Sequence, residues 1–365
     1  MNAKSILLVM MTSFFIFSCG DDSEDSPATP NPGTPADANK YSGSASYGDL
    51  VTFSIDQVNQ SYVLDNETTG ETESGNYDVM SLNGLEGVYK VSADGSNFFG
   101  VELDDKIVVG NFPSGNAQND ISFGVSSEID NSTRLNEIAG DYIYIRLGNV
   151  NINGSTSYKE YGVFSLTADG NIHLIDLASG GDGSDSQVLS VEDLASAGLE
   201  WPIDESISNL DGTWSLNGSK SDRFDISLDG SNYTGYAYAA GTTTVFLMDL
   251  GTGNGFAIGF KVTEPGNTTG DYKYIDTWAD GSKGAGNFTV SSEGNIDWTY
   301  TEDGAEIESG SFGPVEQVDL LPNVFYYYDY DGENDIYLVV AGDAYMHFIF
   351  NDLGELQSYG CGAQI

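Results

Sequence analysis

The sequence predicts an all-β protein assembled from tandem antiparallel meander modules of about eight strands each. Three observations carry that expectation. Apolar residues alternate with polar ones at period two, as in Val51, Phe53 and Ile55 against Thr52, Ser54 and Asp56, the pattern of a half-buried strand. Gly, Asp and Asn turns separate the short runs, which are rich in Thr, Val, Ile and aromatic residues. Parts of the chain are also written more than once. Gly140-Asp141-Tyr142-Ile143-Tyr144-Ile145 returns as Gly270-Asp271-Tyr272-Lys273-Tyr274-Ile275, and Phe164–Ile172 returns as Phe288–Ile296. The turn Asp94-Gly95-Ser96-Asn97 recurs at Asp229 and again at Asp331. Self-similarity in this order reads as one hairpin-rich unit used about three times.

The first 40 residues are not part of that unit. Lys4 precedes an apolar run from Ile6 to Phe17, too short for a membrane-spanning helix and suited to a signal-peptide core over residues 1–18. Ile16-Phe17-Ser18-Cys19 resembles the lipobox of bacterial lipoproteins, with an aliphatic residue three before the cysteine and a small one just before it; Phe17 departs from the usual small residue. That resemblance implies removal of the signal and acylation of Cys19, hence a membrane partner through a lipid anchor. The acidic run Gly20–Asp25 looks like the surface-export signal of Bacteroidota lipoproteins, which implies an outer-membrane, cell-surface address. An ordinary signal peptide and a plain solvated linker are the alternatives. Residues 19–40 continue as a Pro-rich spacer without periodicity, the composition of an extended tether.

The rest divides by its repeats into module one (41–135), module two (136–266, with a long loop at 178–210) and module three (267–365). In the first, about eight runs between Tyr41 and Ser126 read as strands. In the second, eight more lie between Tyr142 and Val262. In the third, Ile296, Trp298 and Tyr300 share one face opposite Asp297, Thr299 and Thr301, and Val324–Tyr330 is followed by Ile336–Val340. Short connections make sequence neighbours antiparallel neighbours in space. Eight such strands close into an up-and-down barrel and so remove their edges. Leu210-Asp211-Gly212-Thr213-Trp214 and Ile138-Ala139-Gly140-Asp141-Tyr142 resemble the Gly-x-aromatic opening of lipocalin-like barrels. A six-bladed propeller is the alternative; a repeat near 100–130 residues favours barrels. Within the 178–210 loop, Ser190 can cap a short helix ended by Gly198, giving either a lid or a packed insertion.

Charge excludes some partners. With 56 Asp and Glu against 12 Lys and Arg, the chain lacks the basic clusters that phosphate backbones and anionic lipid surfaces require, so nucleic acid is not expected. No nucleophile elbow, His-Glu-x-x-His or phosphate loop is present, and His173 and His347 sit in strand patterns rather than in motifs. Asp329, Asp331, Glu333 and Asp335 alternate around Gly332 as oxygen ligands for Ca²⁺ would, although the same turn elsewhere needs no metal. Tyr326, Tyr328 and Tyr330 form one strand face; with Trp201, Trp278 and Trp298 they are the candidate ligand-binding aromatics. Cys361, between two glycines, reads as an unpaired thiol.

These features point to a surface lipoprotein with a non-enzymatic binding or adhesion role, for a glycan or another extracellular polymer. The second reading is a lipocalin-like carrier of a small apolar ligand, and the third a glycan-active enzyme. The interior separates the first two. Exposed aromatic rows around a filled interior favour adhesion, and a lined cavity favours the carrier.

Overall fold

A computed structural model of the chain describes residues 38–364, apart from 83–84, 94–95, 104, 112–120, 129, 149–157, 179–209, 264–267, 279–281, 303–305, 319–320, 328–333 and 352–355. The signal segment, Cys19 and nearly all of the tether lie outside the described residues. So do Trp201 with most of the long insertion, Tyr328, Tyr330, Asp329, Asp331 and Glu333.

Three antiparallel sheets follow one another along the chain. The first holds β1 (Asn39–Ala45), β2 (Leu50–Asp56), β3 (Ser61–Asn66), β4 (Glu71–Asn76), β5 (Asp78–Leu82), β6 (Leu85–Ala93), β7 (Ser96–Leu103), β8 (Ile107–Gly110) and β9 (Ser122–Ser126). The second holds β10 (Gly140–Gly148), β11 (Tyr158–Leu166), β12 (Asn171–Ala178), β13 (Leu210–Leu216), β14 (Arg223–Leu228), β15 (Ser231–Ala240), β16 (Thr243–Asp249) and β17 (Phe256–Lys261). The third holds β18 (Gly270–Trp278), β19 (Lys283–Val290), β20 (Ile296–Glu302), β21 (Glu306–Phe312), β22 (Glu316–Val318), β23 (Leu321–Tyr327), β24 (Asn334–Ala341), β25 (Ala344–Asn351) and β26 (Leu356–Gln364). Among the described residues no helix is long and apolar enough to cross a membrane.

Only the middle sheet is a closed barrel, an eight-stranded one. The flanking sheets have nine strands in the orders β4-β3-β2-β1-β9-β8-β7-β6-β5 and β21-β20-β19-β18-β26-β25-β24-β23-β22. Each order is a barrel meander opened at one seam, between its fourth and fifth strands. Since every pairing is antiparallel, strand sense alternates from β1 both ways round the sheet, and β4 and β5 emerge pointing the same way. Only Tyr77 separates them, so they are two halves of one strand that bends and changes partner. The same argument makes β21 and β22 one strand broken at Gly313-Pro314-Val315, where proline has no N–H to give the ladder. The eight-strand count expected from the sequence therefore holds, and the closed barrel expected of all three modules holds for the middle one.

Corresponding phrases occupy corresponding places. Tyr142 pairs with Phe164 and stacks on it at 4.8 Å and 8°; Tyr272 pairs with Phe288 and stacks at 4.8 Å and 10°. Each preceding glycine, Gly140 or Gly270, has φ of +148°, a conformation a side chain resists. The Tyr142 hydroxyl donates to the Ile138 carbonyl, and that of Tyr272 to the Thr268 carbonyl at 2.9 Å.

The outer faces are not all left to solvent. Val101, Val109 and Phe123 of the first sheet, Leu247, Ile258 and Phe260 of the barrel, and Ile275, Val339 and Met346 of the third sheet belong to one shared core. This explains strands buried on both sides, such as β8 and β16, whose sequences are continuous rather than alternating. Polar pins join the sheets as well. Arg223 forks onto both Glu67 oxygens, and the Ser44 hydroxyl donates to Asp249 Oδ2 at 2.5 Å. Lys106 Nζ donates to Asp343 Oδ2 at 2.5 Å.

Candidate functional site

Interiors distinguish the three sheets. In the first, Tyr41, Phe53, Tyr62, Tyr77 and Tyr89 crowd inward. Among them lies Glu102, which is 2% exposed and neighbours Tyr41, Tyr77 and Tyr89. Its carboxylate accepts from the hydroxyls of Tyr41 and Tyr89 at 2.5 Å each, from Asn39 Nδ2 at 2.9 Å and from Gln57 Nε2 at 3.0 Å. Four donors to one buried carboxylate form a satisfied structural plug. In the middle barrel the rings of Tyr142, Phe164, Trp214, Phe224 and Phe246 pack on one another, stacked, tilted or edge to face, in the buried core.

The third interior contains a cavity of about 430 Å³, within the usual range of small-molecule sites. Alternation in β18 sends Tyr274, Asp276 and Trp278 into it, and alternation in β20 sends Ile296, Trp298 and Tyr300. The sheet's far side contributes His347 from β25, and the edge strand β21 contributes the exposed Glu308. Space for the cavity comes partly from glycine. A Cβ on Gly284 would lie 2.1 Å from the Tyr300 hydroxyl, and one on Gly310 would lie 2.8 Å from the Trp298 ring. The two rings therefore lie back against bare backbone.

Trp278 Nε1 donates to the Tyr300 hydroxyl at 2.9 Å, fixing the indole. Tyr300 lies nearly parallel to Tyr274, at 6.5 Å and 12°. The His347 imidazole stands edge-on to Tyr274 at 5.3 Å and 90°, and lies near-parallel to Tyr345 at 5.9 Å and 19°. Burial pulls the His347 pKa down to about 3, because an apolar surrounding penalises the imidazolium, so the ring is neutral at physiological pH. Burial likewise holds the Tyr345 phenol and the Cys361 thiol in their protonated forms.

Of the sequence-chosen aromatics, Trp278 and Trp298 meet at this cavity. Tyr326 does not. Its ring packs on the shared core beside Tyr337, at 6.3 Å, and its hydroxyl donates to Glu316 at 2.8 Å, while neighbouring Phe325 and Tyr327 turn inward. Asp335 is the second residue of β24; among the described residues no group of three His, Cys, Asp or Glu could hold a metal ion. Tyr274, Asp276 and Glu308 are not among the sequence-chosen candidates; Tyr300 figures there only as a face-mate of Trp298, and His347 as a strand histidine. The available signal was the inward series Tyr272, Tyr274, Asp276, Trp278, in which a carboxyl takes an aromatic position.

No family model matches the chain, and no curated protein does. Similar solved structures include a tryptophan-to-alanine mutant of transferrin-binding protein B from Haemophilus parasuis, at 11% identity over 91% of this chain and 76% of that one, with a TM-score of 0.24. Transferrin-binding protein B from Neisseria meningitidis is similar at 12% identity over 87% and 66%, TM-score 0.24. A protein of unknown function from Nostoc punctiforme gives 7% over 90% and 94%, TM-score 0.15. Likenesses this weak carry no argument for fold or function.

Proposed function

We propose that this chain is a non-enzymatic binding protein that takes a small, flat, largely apolar ligand into its third sheet, and that acylated Cys19 holds it at the outer membrane. The observation that carries the binding reading is the aromatic cavity between Trp278, Trp298 and Tyr300. Polymer binding by exposed aromatic rows has less support, since no Trp or Tyr whose burial is described is in an exposed position. The carrier reading therefore leads. An anionic ligand has little support, because Asp276 and Glu308 line the cavity and no Lys or Arg does among the described residues.

The neutral dye N-phenyl-1-naphthylamine is a suitable probe. On the mature chain carrying Cys19→Ser, which keeps the whole folded unit and cannot be acylated, it is expected to brighten and bind with a Kd on the order of 10 μM. Trp298→Ala, which removes one wall, should weaken binding at least about tenfold by loss of ring contact. Dye that stays dim on the parent chain, or binds the variant equally well, rejects the cavity as the site.

The anchor rests on Ile16–Cys19. Several acyl chains hold a protein far more firmly than one. The protein expressed in a Gram-negative host should enter the detergent phase on Triton X-114 partitioning, and Cys19→Ser should move it to the aqueous phase. A wild-type protein recovered from the aqueous phase refutes the anchor.

A further inference from the structure

Three features of the cavity bear on the charge of what it holds. Its walls include four electron-rich rings, from Tyr274, Trp278, Trp298 and Tyr300. Two carboxyl side chains, Asp276 and Glu308, stand among them, and the single imidazole, His347, is neutral. The Trp278 N–H, a donor that could otherwise meet an anion or a carbonyl, is turned onto Tyr300. A neutral apolar ligand uses the ring faces and gains nothing from the carboxyls. An anion finds no Lys or Arg among the described lining residues. An alkylated ammonium uses both sets of groups, because its positive charge is spread over methyl or methylene groups that pack on ring faces, where the ring quadrupole attracts them.

We infer that the third-sheet cavity is selective for an organic cation, an alkylated ammonium carrying an apolar substituent, with Trp278, Trp298 and Tyr300 packing on it and Asp276 and Glu308 supplying the counter-charge. Asp276 is 2% exposed, whereas Glu308 stands exposed on an edge strand. The two acids would thus act on the cation from different depths. This rests on the binding reading above and narrows it to one ligand chemistry.

The test compares isosteres that differ only in charge: benzyltrimethylammonium, its carbon analogue neopentylbenzene, and benzylsulfonate as the anion. Each is titrated against N-phenyl-1-naphthylamine bound to the mature Cys19→Ser chain, in 0.5 M NaCl. Salt at that level suppresses loose attraction to a chain this acidic. The cation is expected to displace the dye at a concentration at least about tenfold below the neutral analogue, with the anion ineffective. Glu308→Gln, an exposed change judged for folding by its urea midpoint, should lower the cation-to-neutral ratio severalfold. Asp276→Asn should lower it further, towards one.

A neutral analogue that competes as well as the cation overturns the selectivity and leaves the binding reading standing. So does a ratio that both variants leave unchanged. Cation binding that vanishes in 0.5 M salt belongs to the acidic surface and equally overturns it. If the dye itself does not bind, both the selectivity and the binding reading fall.

Discussion

Phe246→Ala is expected to cost about 3–5 kcal/mol of unfolding free energy, the range for emptying a fully buried aromatic site. Phe246 is 1% exposed, at the centre of the middle barrel. Its ring meets Tyr142 at 6.1 Å, Phe164 at 6.0 Å, Trp214 at 6.3 Å and Phe224 at 5.8 Å. Those four rings are held by backbone on four other strands and cannot collapse into the vacated volume without breaking their own contacts. The flanking residues Val245 and Leu247 point the opposite way, into the core shared by all three sheets. Loosening β16 should therefore weaken the packing between sheets as well as the barrel. Urea unfolding followed by tryptophan emission reads the effect, since Trp214 lies against the altered site. Phe246→Leu, which keeps most of the volume, should cost a fraction as much. An alanine variant within 1 kcal/mol of the parent would mean that the barrel interior is not packed as described.

Asp249→Asn should stabilise the protein at pH 8 and leave it nearly unchanged at pH 3.5. Asp249 is 6% exposed, where the barrel meets the first sheet. Burial raises its pKa from 3.8 to about 6; the Ser44 hydroxyl and the Gly251 N–H pull it down, and Asp49 pushes it up. In the unfolded chain the carboxyl ionises near 3.8, so between that pH and about 6 the folded state binds more protons. Stability from this group is thus complete below the unfolded value and is lost as pH rises through the folded one. At 1.36 kcal/mol per pH unit, the difference comes to about 3 kcal/mol above pH 6. Asparagine cannot ionise, and its amide can still accept from Gly251 and meet Ser44. The difference between variant and parent, measured by urea titration at pH 3.5 and pH 8, cancels the repulsion that the remaining acids add to both. A difference that does not change with pH would show that Asp249 is not held protonated by burial.

Several elements were readable before any fold was known. Alternation in Val51–Ile55 and Ile296–Tyr300 identified which residues share a face, and the repeated Gly-Asp-Tyr phrases marked the openings of β10 and β18. The short helix Leu135–Ile138 gave no such sign; its four residues are too few for a period of 3.6 to appear. Strands buried on both faces were readable as strands but not as contacts between sheets. A run such as Ile107-Val108-Val109 records burial on both sides without recording what lies there.

The cavity shows the same division. Trp278 and Trp298 are candidates from the sequence as aromatics able to stack on a ligand. Their partners come from distant strands, with Asp276 and His347 separated by more than two hairpins. Tyr326 looked equivalent to them, yet its face meets the shared core, because a neighbouring sheet covers that side.

By itself the sequence determined the strands, the meander order, the strong acidity and the lipobox-like Cys19, all of which depend on residues near one another along the chain. Tertiary structure alone decided that one meander closes while two stay open at a bent fourth strand, which outer faces pack together, and that the third interior holds a cavity. Whether an interior fills is set by side-chain volumes summed across eight strands against the space that glycines such as Gly284 and Gly310 leave open. That sum has no expression in any local pattern.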